Sequence, residues 1–291
     1  MSDVALAVDI GGTKMAVGFV DRSGVLRLRR QVPTPRSGGD VLWGTVADLV
    51  QKVRGDAEPD DRIVVCGVGC GGPMSPGGET VSPLNIEGWR AFPLRAQLHE
   101  LTGVPTYVDN DAKALALAEG SNGAAAGQRD YIAIVVSTGI GGGIVLDGRL
   151  LEGRLGNAGH IGHVVVESEG RACACGGRGC LEAEASGTAL AAITGQPPAM
   201  APPEVVRRTG TLVGRAVASV VNLLDLPLAV ASGSVALGFG EPFFAAAQRE
   251  IDLRCGLDFA RGARIIPGGL GPDGPLIGAG SVGWRGLDAA G

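Results

Sequence analysis

Two stretches of the chain share one pattern of apolar runs and glycine turns. Residues 5–21 read as an apolar run, a glycine turn and a second apolar run, and residues 131–147 repeat this order. β-Branched runs on both sides of a glycine turn are typical of a β-hairpin. Because one such hairpin occurs in each half of the chain, we expect two similar lobes.

The segments around these hairpins alternate between helical and strand patterns. Apolar residues recur at helical spacing in 40–54, 205–224 and 241–253, whereas 62–69 and 228–231 are short apolar runs typical of buried strands. This alternation predicts an α/β fold.

A glycine-rich, uncharged stretch at residues 121–127 is a candidate hinge between the lobes. We therefore assign residues 1–120 to an N-terminal lobe that carries the first glycine turn. Residues 121–275 form the C-terminal lobe, with the second glycine turn and a cysteine cluster. A C-terminal helix at 276–291 is expected to join the N-terminal lobe.

Composition and charge exclude several classes of function for this protein. The 291 residues are 45% hydrophobic, enough for one large core or two lobes. The net charge of −5 and the scattered arginines give no basic surface for nucleic acid. The longest apolar tract, 213–231, is interrupted by Arg215, Asn222 and Asp225, and the first residues do not resemble a signal peptide. We expect a cytoplasmic protein that binds neither nucleic acid nor membrane.

Both predicted hairpin turns, at residues 10–14 and 138–143, are rich in glycine. Without a Cβ atom in the way, the backbone N–H groups of such turns can point at an anion, as in phosphate-binding loops. Two turns of this kind facing one another would hold a polyphosphate. The alternative is that each is only a tight hairpin turn.

Three polar side chains, Asp109, Asn110 and Asp111, follow a short apolar strand that begins at Thr106. The carboxyl edge of a sheet is where α/β proteins bind ligands, so this position favours an active site. The alternative is that one of the two aspartates only caps the helix predicted from Ala112.

One imidazole and three thiols lie close together in the sequence, at His163, Cys173, Cys175 and Cys180. Such ligands suit Zn²⁺ in a closed, four-coordinate structural site. The alternative is ordinary thiols or a disulfide, although a bridge between cysteines one residue apart is strained. The other cysteines are expected to be free, buried thiols: Cys66, Cys70 and Cys255.

Five segments together carry a resemblance to a known family: DIGGTK at 9–14, VDNDA at 108–112, STGIGGGIV at 137–145, AGHIGH at 158–163 and CACGGRGCLEAEASG at 173–187. The chain resembles the ROK family of bacterial sugar kinases, N-acetylhexosamine kinases and related repressors. The resemblance implies a two-lobed, actin-like ATPase fold of ribonuclease-H-like sheets, with ATP and sugar meeting in an interlobe cleft. Family repressors add an N-terminal winged helix, whereas this chain enters its first strand at about Val4, so it resembles the kinases.

The resemblance also implies roles for individual residues. Asp111 matches the catalytic aspartate that accepts a proton from the sugar hydroxyl, and Asp9 is expected to act through a magnesium-bound water. The ATP phosphates are expected at the two glycine turns, on Gly11, Gly12, Thr13, Lys14, Thr138, Gly139, Gly141 and Gly142.

The adenosine side matches the family less well. Its members usually carry a glycine triplet after the late strand, where this chain has Ser232, Gly233 and Ser234. Gly233 is therefore the candidate on this side, and the resemblance supports phosphate binding more strongly than nucleotide identity.

The acceptor side is expected to use Asn85, Gly88, Trp89, Asn110, Asp111, His160, His163 and Glu182. The chain departs from the family at His160, because the family's sugar kinases usually read E-x-G-H where this chain reads H-x-G-H. A neutral imidazole accepts one hydrogen bond where a carboxylate accepts several, so we expect altered substrate choice. The alternative is a tolerant surface position.

These expectations describe an ATP- and Mg²⁺-dependent kinase for a hydroxyl of a hexose or hexose-like polyol, with a structural Zn²⁺. Glucose is the default acceptor, and an N-acetylhexosamine or a cyclitol is the alternative. A sugar-binding sensor without turnover is a second class of function, but a sensor has no need of the catalytic aspartate. We expect a homodimer or homotetramer.

Overall fold

A computed structural model of the chain describes residues 2–36 and 38–291. The described chain divides into two compact units. Unit 1 contains the residues up to Ser121, together with Glu152–Ala158 and Pro272–Gly291, and unit 2 contains Asn122–Leu151 and Gly159–Gly271. The boundaries expected from the sequence, 1–120 and 121–275, do not include the return of Glu152–Ala158 to unit 1. We call Glu152–Ala158 the return segment.

The strands in chain order are β1 Ser2–Ile10, β2 Lys14–Asp21, β3 Leu26–Pro33, β4 Asp61–Cys70, β5 Thr106–Asn110, β6 Tyr131–Val136, β7 Ile140–Leu146, β8 Arg149–Leu150, β9 Leu228–Ser232 and β10 Arg264–Pro267. The helices are α1 Gly39–Gly55, α2 Leu94–Thr102, α3 Asp111–Asn122, α4 Leu181–Ala185, α5 Gly187–Thr194, α6 Pro203–Leu224, α7 Ser234–Phe239, α8 Glu241–Arg254 and α9 Gly274–Ala290. Both units are mixed α/β structures, as the sequence pattern predicts.

The sheet of unit 1 has the strand order β3-β2-β1-β4-β5. The predicted hairpin pairs β1 with β2 antiparallel, while β1, β4 and β5 run parallel. Successive side chains of a strand point to opposite faces of the sheet. Val4, Leu6 and Val8 of β1 accordingly share a core with α1 and α2, and the alternate alanines of β1 share cores with α9.

The sheet of unit 2 has the order β10-β9-β6-β7-β8 and begins with the second predicted hairpin, β6 and β7. Strands β6, β9 and β10 run parallel. The apolar side of α6, including Val213 and Val217, packs into the core with Ile132 and Ile134 of β6. The helices predicted at 205–224 and 241–253 are confirmed as α6 and α8.

The sequence pattern missed the elements that lack a clear apolar period. Strand β3 reads LRLRRQVP and keeps no residue fully buried, and α2 follows a proline without a side-chain cap. In the described residues, no helix is both long and apolar enough to cross a membrane.

Helix α9 lies unusually close to the sheet of unit 1. A Cβ atom added to Gly67 of β4 would lie 2.0 Å from the carbonyl oxygen of Ala279 and 2.5 Å from the amide nitrogen of Gly283. These are backbone atoms of α9, which cannot swing aside as a flexible side chain can. The absence of a side chain at Gly67 therefore sets the spacing between helix and sheet.

We predict that Gly67→Ala lowers the free energy of unfolding by about 3 kcal/mol, because the new methyl group must displace a backbone segment. Gly44→Ala in α1 is the matched control, since a Cβ there meets nothing within 4 Å. A helix gains up to about 1 kcal/mol from this change. Chemical denaturation of both variants provides the measurement, and equal stabilities would contradict the close contact.

Candidate active site and metal centre

The predicted acidic residues of unit 1 lie at the same edge of the sheet, at the carboxyl ends of its three parallel strands. Asp9 of β1 pairs in register with Gly69 of β4, and Gly69 pairs with Asp109 of β5. A Cβ atom on Gly69 would lie 3.6 Å from Cα of Asp111 and 3.8 Å from Oδ1 of Asp9. Asp9 and Asp111 therefore lie on either side of Gly69, at the carboxyl ends of the parallel strands.

Asp9 is nearly buried, with 7% of its surface exposed. Burial, and after it the negative charge of Asp111, raise the pKa of its carboxyl from 3.8 to about 7. Lys14 and Arg29 oppose the shift. A site that disfavours a carboxylate in this way is stabilised by a cation or a proton, and carboxylates are usual ligands or water acceptors around Mg²⁺.

Asn110 and Asp111 start helix α3 through their own side chains. The Asn110 Oδ1 atom accepts hydrogen bonds from the amides of Ala112 at 3.0 Å and Lys113 at 3.4 Å, as an N-cap residue does. Asp111 Oδ1 accepts a hydrogen bond from the Ala112 amide at 2.8 Å. The capping role that was expected of an aspartate therefore falls mainly to Asn110, whose side-chain NH₂ is left as the group to offer a ligand.

Asp109 has different surroundings from Asp111. Its carboxylate is nearly buried and lies 2.8 Å from the Lys113 Nζ atom and 3.0 Å from a guanidinium nitrogen of Arg285. Burial raises the pKa of Asp109 and the Lys113 charge lowers it. Both carboxylate oxygens of Asp109 therefore have cationic partners within unit 1.

The first glycine turn is held in place on both sides. The Gly11 amide donates to the Lys14 carbonyl oxygen at 3.0 Å, and the Thr34 hydroxyl donates to the Gly11 carbonyl oxygen at 2.7 Å. A Cβ atom on Gly12 would lie 2.7 Å from Nδ2 of Asn85. The structure thus brings two predicted sites together, the phosphate turn and the acceptor residue Asn85, through a glycine with no side chain.

Trp89 does not occupy the position expected of a ligand contact. Its side chain is fully buried, its ring stacks on Phe92 with centroids 4.3 Å apart, and its indole N–H donates to the Gly39 carbonyl oxygen at 3.2 Å. The neighbouring Gly88 is exposed but packs its carbonyl oxygen against Gly39. The Trp89 side chain therefore supports this loop from within the core. The prediction that this side chain contacts a sugar directly is wrong.

Glu182 holds the second glycine turn, in unit 2. Its Oε2 atom accepts a hydrogen bond from the Ile140 amide at 2.8 Å and would lie 2.7 Å from a Cβ on Gly139. The Thr138 carbonyl oxygen accepts hydrogen bonds from the hydroxyl and amide of Thr188. The sequence predicts that Glu182 contacts the sugar. It did not reveal that the Glu182 carboxylate also binds the backbone of the turn.

The two predicted glycines further along this turn differ. Gly141 is partly exposed, whereas Gly142 is buried in β7, and a Cβ there would lie 3.1 Å from the Gly159 carbonyl oxygen. Gly142 therefore serves close packing between β7 and the segment before His160. Its burial removes it from the surface of the turn, which Thr138, Gly139 and Gly141 provide.

Gly233 adopts a backbone conformation that requires glycine. Its φ angle is +98°, and a Cβ atom would lie 2.4 Å from the Val136 carbonyl oxygen. The next residue, Ser234, lies with its hydroxyl 3.0 Å from that of Ser137. The end of β9 and the second glycine turn are therefore adjacent in unit 2, although the family's glycine triplet is reduced to one.

The predicted metal ligands come together as a compact cluster in unit 2. His163, Cys173, Cys175 and Cys180 present ligand atoms that all lie within 4.8 Å of one another. The Cys175 and Cys180 sulfurs are 3.8 Å apart, and Nδ1 of His163 is 3.7 Å from the Cys173 sulfur. Zn–S bonds of about 2.3 Å and Zn–N bonds of about 2.0 Å in a tetrahedron give edges of about 3.8 and 3.5 Å. The donor set and its spacing fit Zn²⁺.

His160 lies at the start of the short helical turn Ile161–His163 and is partly buried. Its ring is 5.9 Å from that of His163, with 23° between the ring planes. The residue that departs from the family pattern is therefore next to a predicted metal ligand, so the tolerant-surface alternative is less well supported than a role beside the cluster.

Sequence reasoning missed three residues that shape the site: Gly69, Lys113 and Asn157. Asn157 of the return segment exchanges hydrogen bonds with the amide and carbonyl of Met74, at 3.1 and 2.9 Å. A glycine at the end of an apolar strand and a lysine within an otherwise apolar helix were the available signals. Asn157 offered none, because its partner is distant in the sequence.

Comparison with known proteins gives a consistent result. A model of the ROK family matches residues 5–280. An N-acetylmannosamine kinase of Citrobacter koseri is 39% identical over 257 residues, covering 81% of this chain and 84% of that protein.

Solved structures show the same relationship. A ROK family glucokinase from Streptomyces griseus, in complex with glucose and AMPPNP, has a TM-score of 0.85 at 28% identity and covers 97% of this chain and 99% of its own. A ROK hexokinase from Thermus thermophilus has a TM-score of 0.83 at 33% identity, with 98% and 99% covered. The predicted actin-like α/β fold is thereby confirmed. Since the family model spans nearly the whole chain and these relatives match over most of their length, the protein belongs to the ROK family.

Proposed function

We propose that this sugar kinase transfers the γ-phosphoryl group of ATP to a hydroxyl of an N-acetylated hexosamine, with N-acetylmannosamine as the acceptor to test first. The relative at 39% identity is named for that substrate, whereas the glucokinase structure is 28% identical. Glucose, the default acceptor from the sequence, thus has less support than the alternative. The observation that carries the chemistry is that Asp9 and Asp111 lie on either side of Gly69 at the carboxyl edge of the sheet, where the charge of Asp111 acts on Asp9.

The base in this proposal is Asp111. Phosphoryl transfer depends mainly on positioning and charge neutralisation, with one carboxylate to orient the attacking hydroxyl and take its proton. The hydrogen bond from the Ala112 amide to Asp111 Oδ1 fixes the orientation of the carboxylate. Asp109 cannot replace it without breaking ion pairs to Lys113 and Arg285.

The ATP phosphates are assigned to the glycine turns, with Gly11, Gly12, Thr13 and Lys14 in unit 1 and Thr138, Gly139 and Gly141 in unit 2. Gly233 is assigned to the nucleoside. When bound with ATP, Mg²⁺ supplies positive charge to the transferring phosphoryl group. Asp9 is the residue to hold that ion through water, and its own ionisation is favoured by a nearby cation.

The acceptor contacts are assigned to Asn85, Asn110, His160, His163 and Glu182. His160 replaces a carboxylate with a ring that can accept one hydrogen bond or donate one. An acetamido group and a sugar hydroxyl can each donate to or accept from such a ring, so the choice of an acetylated amino sugar rests on the relative at 39% identity.

The Zn²⁺ assignment rests on the match between the ligand spacing and a tetrahedron. Bound there, the ion would fix the loop that carries His163 rather than take part in phosphoryl transfer. A disulfide is the alternative, and within the described residues all of the cysteines are free thiols.

A panel of acceptors with ATP and Mg²⁺ tests the proposal. Formation of ADP that depends on N-acetylmannosamine, with a kcat/KM above those for glucose, N-acetylglucosamine and a cyclitol, is the expected result. A higher value for glucose would return the assignment to the glucokinase type. Binding of a sugar by calorimetry without any turnover would support the sensor instead.

Asp111→Asn is expected to lower kcat by about 10²–10⁴-fold, because the amide cannot take the hydroxyl proton. Acceptor affinity measured by calorimetry should change much less. Asp258→Asn is the matched control, since the side chain of Asp258 is 95% exposed. Activity of Asp111→Asn within a few-fold of the parent would exclude Asp111 as the base.

Asp9→Asn is expected to stabilise the Mg²⁺-free protein at pH 8 while abolishing activity. Between pH 3.8 and about 7 the unfolded chain ionises Asp9 while the folded protein keeps the proton, so stability falls as the pH rises through this window. Above it, the buried charge costs at most about 4 kcal/mol, at about 1.4 kcal/mol per unit of pKa. The gain in melting temperature should disappear near pH 4. A gain independent of pH would show that another effect is responsible.

Purified protein is expected to contain about one Zn²⁺ per chain, and Cys175→Ser or Cys180→Ser should release it. Loss of a ligand from a structural site also lowers stability, because metal binding and folding are coupled. Cys255→Ser, a buried thiol outside the cluster, is the control and should retain the metal. Metal analysis that finds no zinc in protein kept free of chelators would exclude the assignment.

A further inference from the structure

Four charged side chains of unit 1 form a connected set of ion pairs beside the proposed base. We call Asp109, Lys113, Glu152 and Arg285 the ion cluster. Lys113 pairs with Asp109 and with Glu152, and Arg285 pairs with the same two carboxylates, at 3.0 and 2.8 Å. The cluster joins the end of β5, the first turn of α3, the return segment and α9.

Lys113 is the most deeply buried member, with a side chain 1% exposed. An ammonium group has three N–H donors. Those of Lys113 have three acceptors, which are Asp109 Oδ1, Glu152 Oε2 and, at 3.1 Å, the Gly156 carbonyl oxygen. With its donors occupied by the protein, Lys113 does not reach a substrate, and any effect on the reaction must pass through its partners.

Asp109 connects Lys113 to Asn110, the residue that follows Asp109 in the chain. The same Oδ1 atom that pairs with Lys113 accepts a hydrogen bond from the Asn110 amide at 2.8 Å. Asn110 in turn caps α3 through Ala112. A continuous path of hydrogen bonds therefore runs from the buried ammonium to the first turn of the helix that contains Asp111.

Asp111 lies close enough to Asp9 for its charge to raise the pKa of the Asp9 carboxyl. A shift of about 1 Å in a catalytic group can reduce a rate by about 100-fold. A buried lysine adds little to stability by itself, because a buried ion pair is often no better than apolar residues of the same volume.

We propose that Lys113 is a positioning residue for phosphoryl transfer, which holds Asp109 and thereby sets Asp111 against the acceptor hydroxyl. The proposal rests on the assignment of Asp111 as the base. It separates two roles within the ion cluster. The Lys113–Asp109 pair serves catalysis, and the Lys113–Glu152 pair attaches the return segment to unit 1.

Two single variants distinguish these roles. Lys113→Met and Glu152→Gln both remove the Lys113–Glu152 ion pair, but only the first removes the ammonium group from Oδ1 of Asp109. Lys113→Met should lower kcat by about 10- to 100-fold, with the KM for ATP within about twofold of the parent. Glu152 is 47% exposed, and Glu152→Gln should change kcat by less than about fivefold. Equal losses of kcat in the two variants would overturn the proposal.

A double-mutant cycle tests whether Lys113 acts through Asp111. In an Asp111→Asn background, Lys113→Met should reduce the remaining kcat by less than about threefold, because the group that it positions is already absent. A loss as large as in the parent would show that the effect of Lys113 does not pass through Asp111, and would overturn the proposal.

Arg285 still pairs with both carboxylates in Lys113→Met, which favours folding of the variant. If it does not fold, Asp109→Asn replaces it in the same cycle, since asparagine keeps an acceptor for the Asn110 amide but weakens the pairing with Lys113. The same non-additivity with Asp111→Asn is expected, and additive losses would overturn the proposal. The assignment of Asp111 as the base has its own test. Full activity of the single variant Asp111→Asn would refute that assignment, whatever the result of the cycle.

Discussion

Burial of a carboxyl group beside a second aspartate is the constraint on which the candidate site of unit 1 depends. Burial of Asp9, together with the charge of Asp111, raises the pKa of Asp9 to about 7. Isolated aspartates would separate or take up protons, so the protein must hold the pair together by other means. The parallel register of β1, β4 and β5 does so for the backbone, and the Asn110 cap does so for the start of α3.

Close packing through glycines supplies the rigidity that such a site needs. Helix α9 approaches β4 at Gly67, the first glycine turn contacts Asn85 at Gly12, and in unit 2 the second turn contacts Glu182 at Gly139. In each case the missing side chain lets a backbone or a polar group come closer than alanine would allow. The glycines of this chain therefore serve close packing, and Gly142 of β7 is one that is itself buried.

The parts that could be predicted from the sequence are those encoded locally. The two hairpins, the polar residues after β5 and the spacing of the cysteines each lie within a short segment, where periodicity or ligand chemistry is visible. The burial of Trp89 was not predictable, because a tryptophan beside a glycine in a loop fits a sugar contact equally well. The pairing of Asp109 with Arg285 joins positions 176 residues apart, and only the folded chain brings them together.

The return segment and α9 have a consequence for synthesis of the chain. Unit 1 receives residues from the beginning, the middle and the end of the sequence, and Arg285 and the backbone partners of Gly67 lie in the last of these. During translation, domains usually fold as their residues emerge, N-terminal parts first. The sheet of unit 1 instead keeps its face for α9 uncovered until Gly274–Ala290 has been synthesised, while the residues of unit 2 are already complete at Gly271. The unit that contains Asp9 and Asp111 is thus the second of the two to have all of its residues, and a chain truncated before α9 would lack the helix that packs against β4 at Gly67.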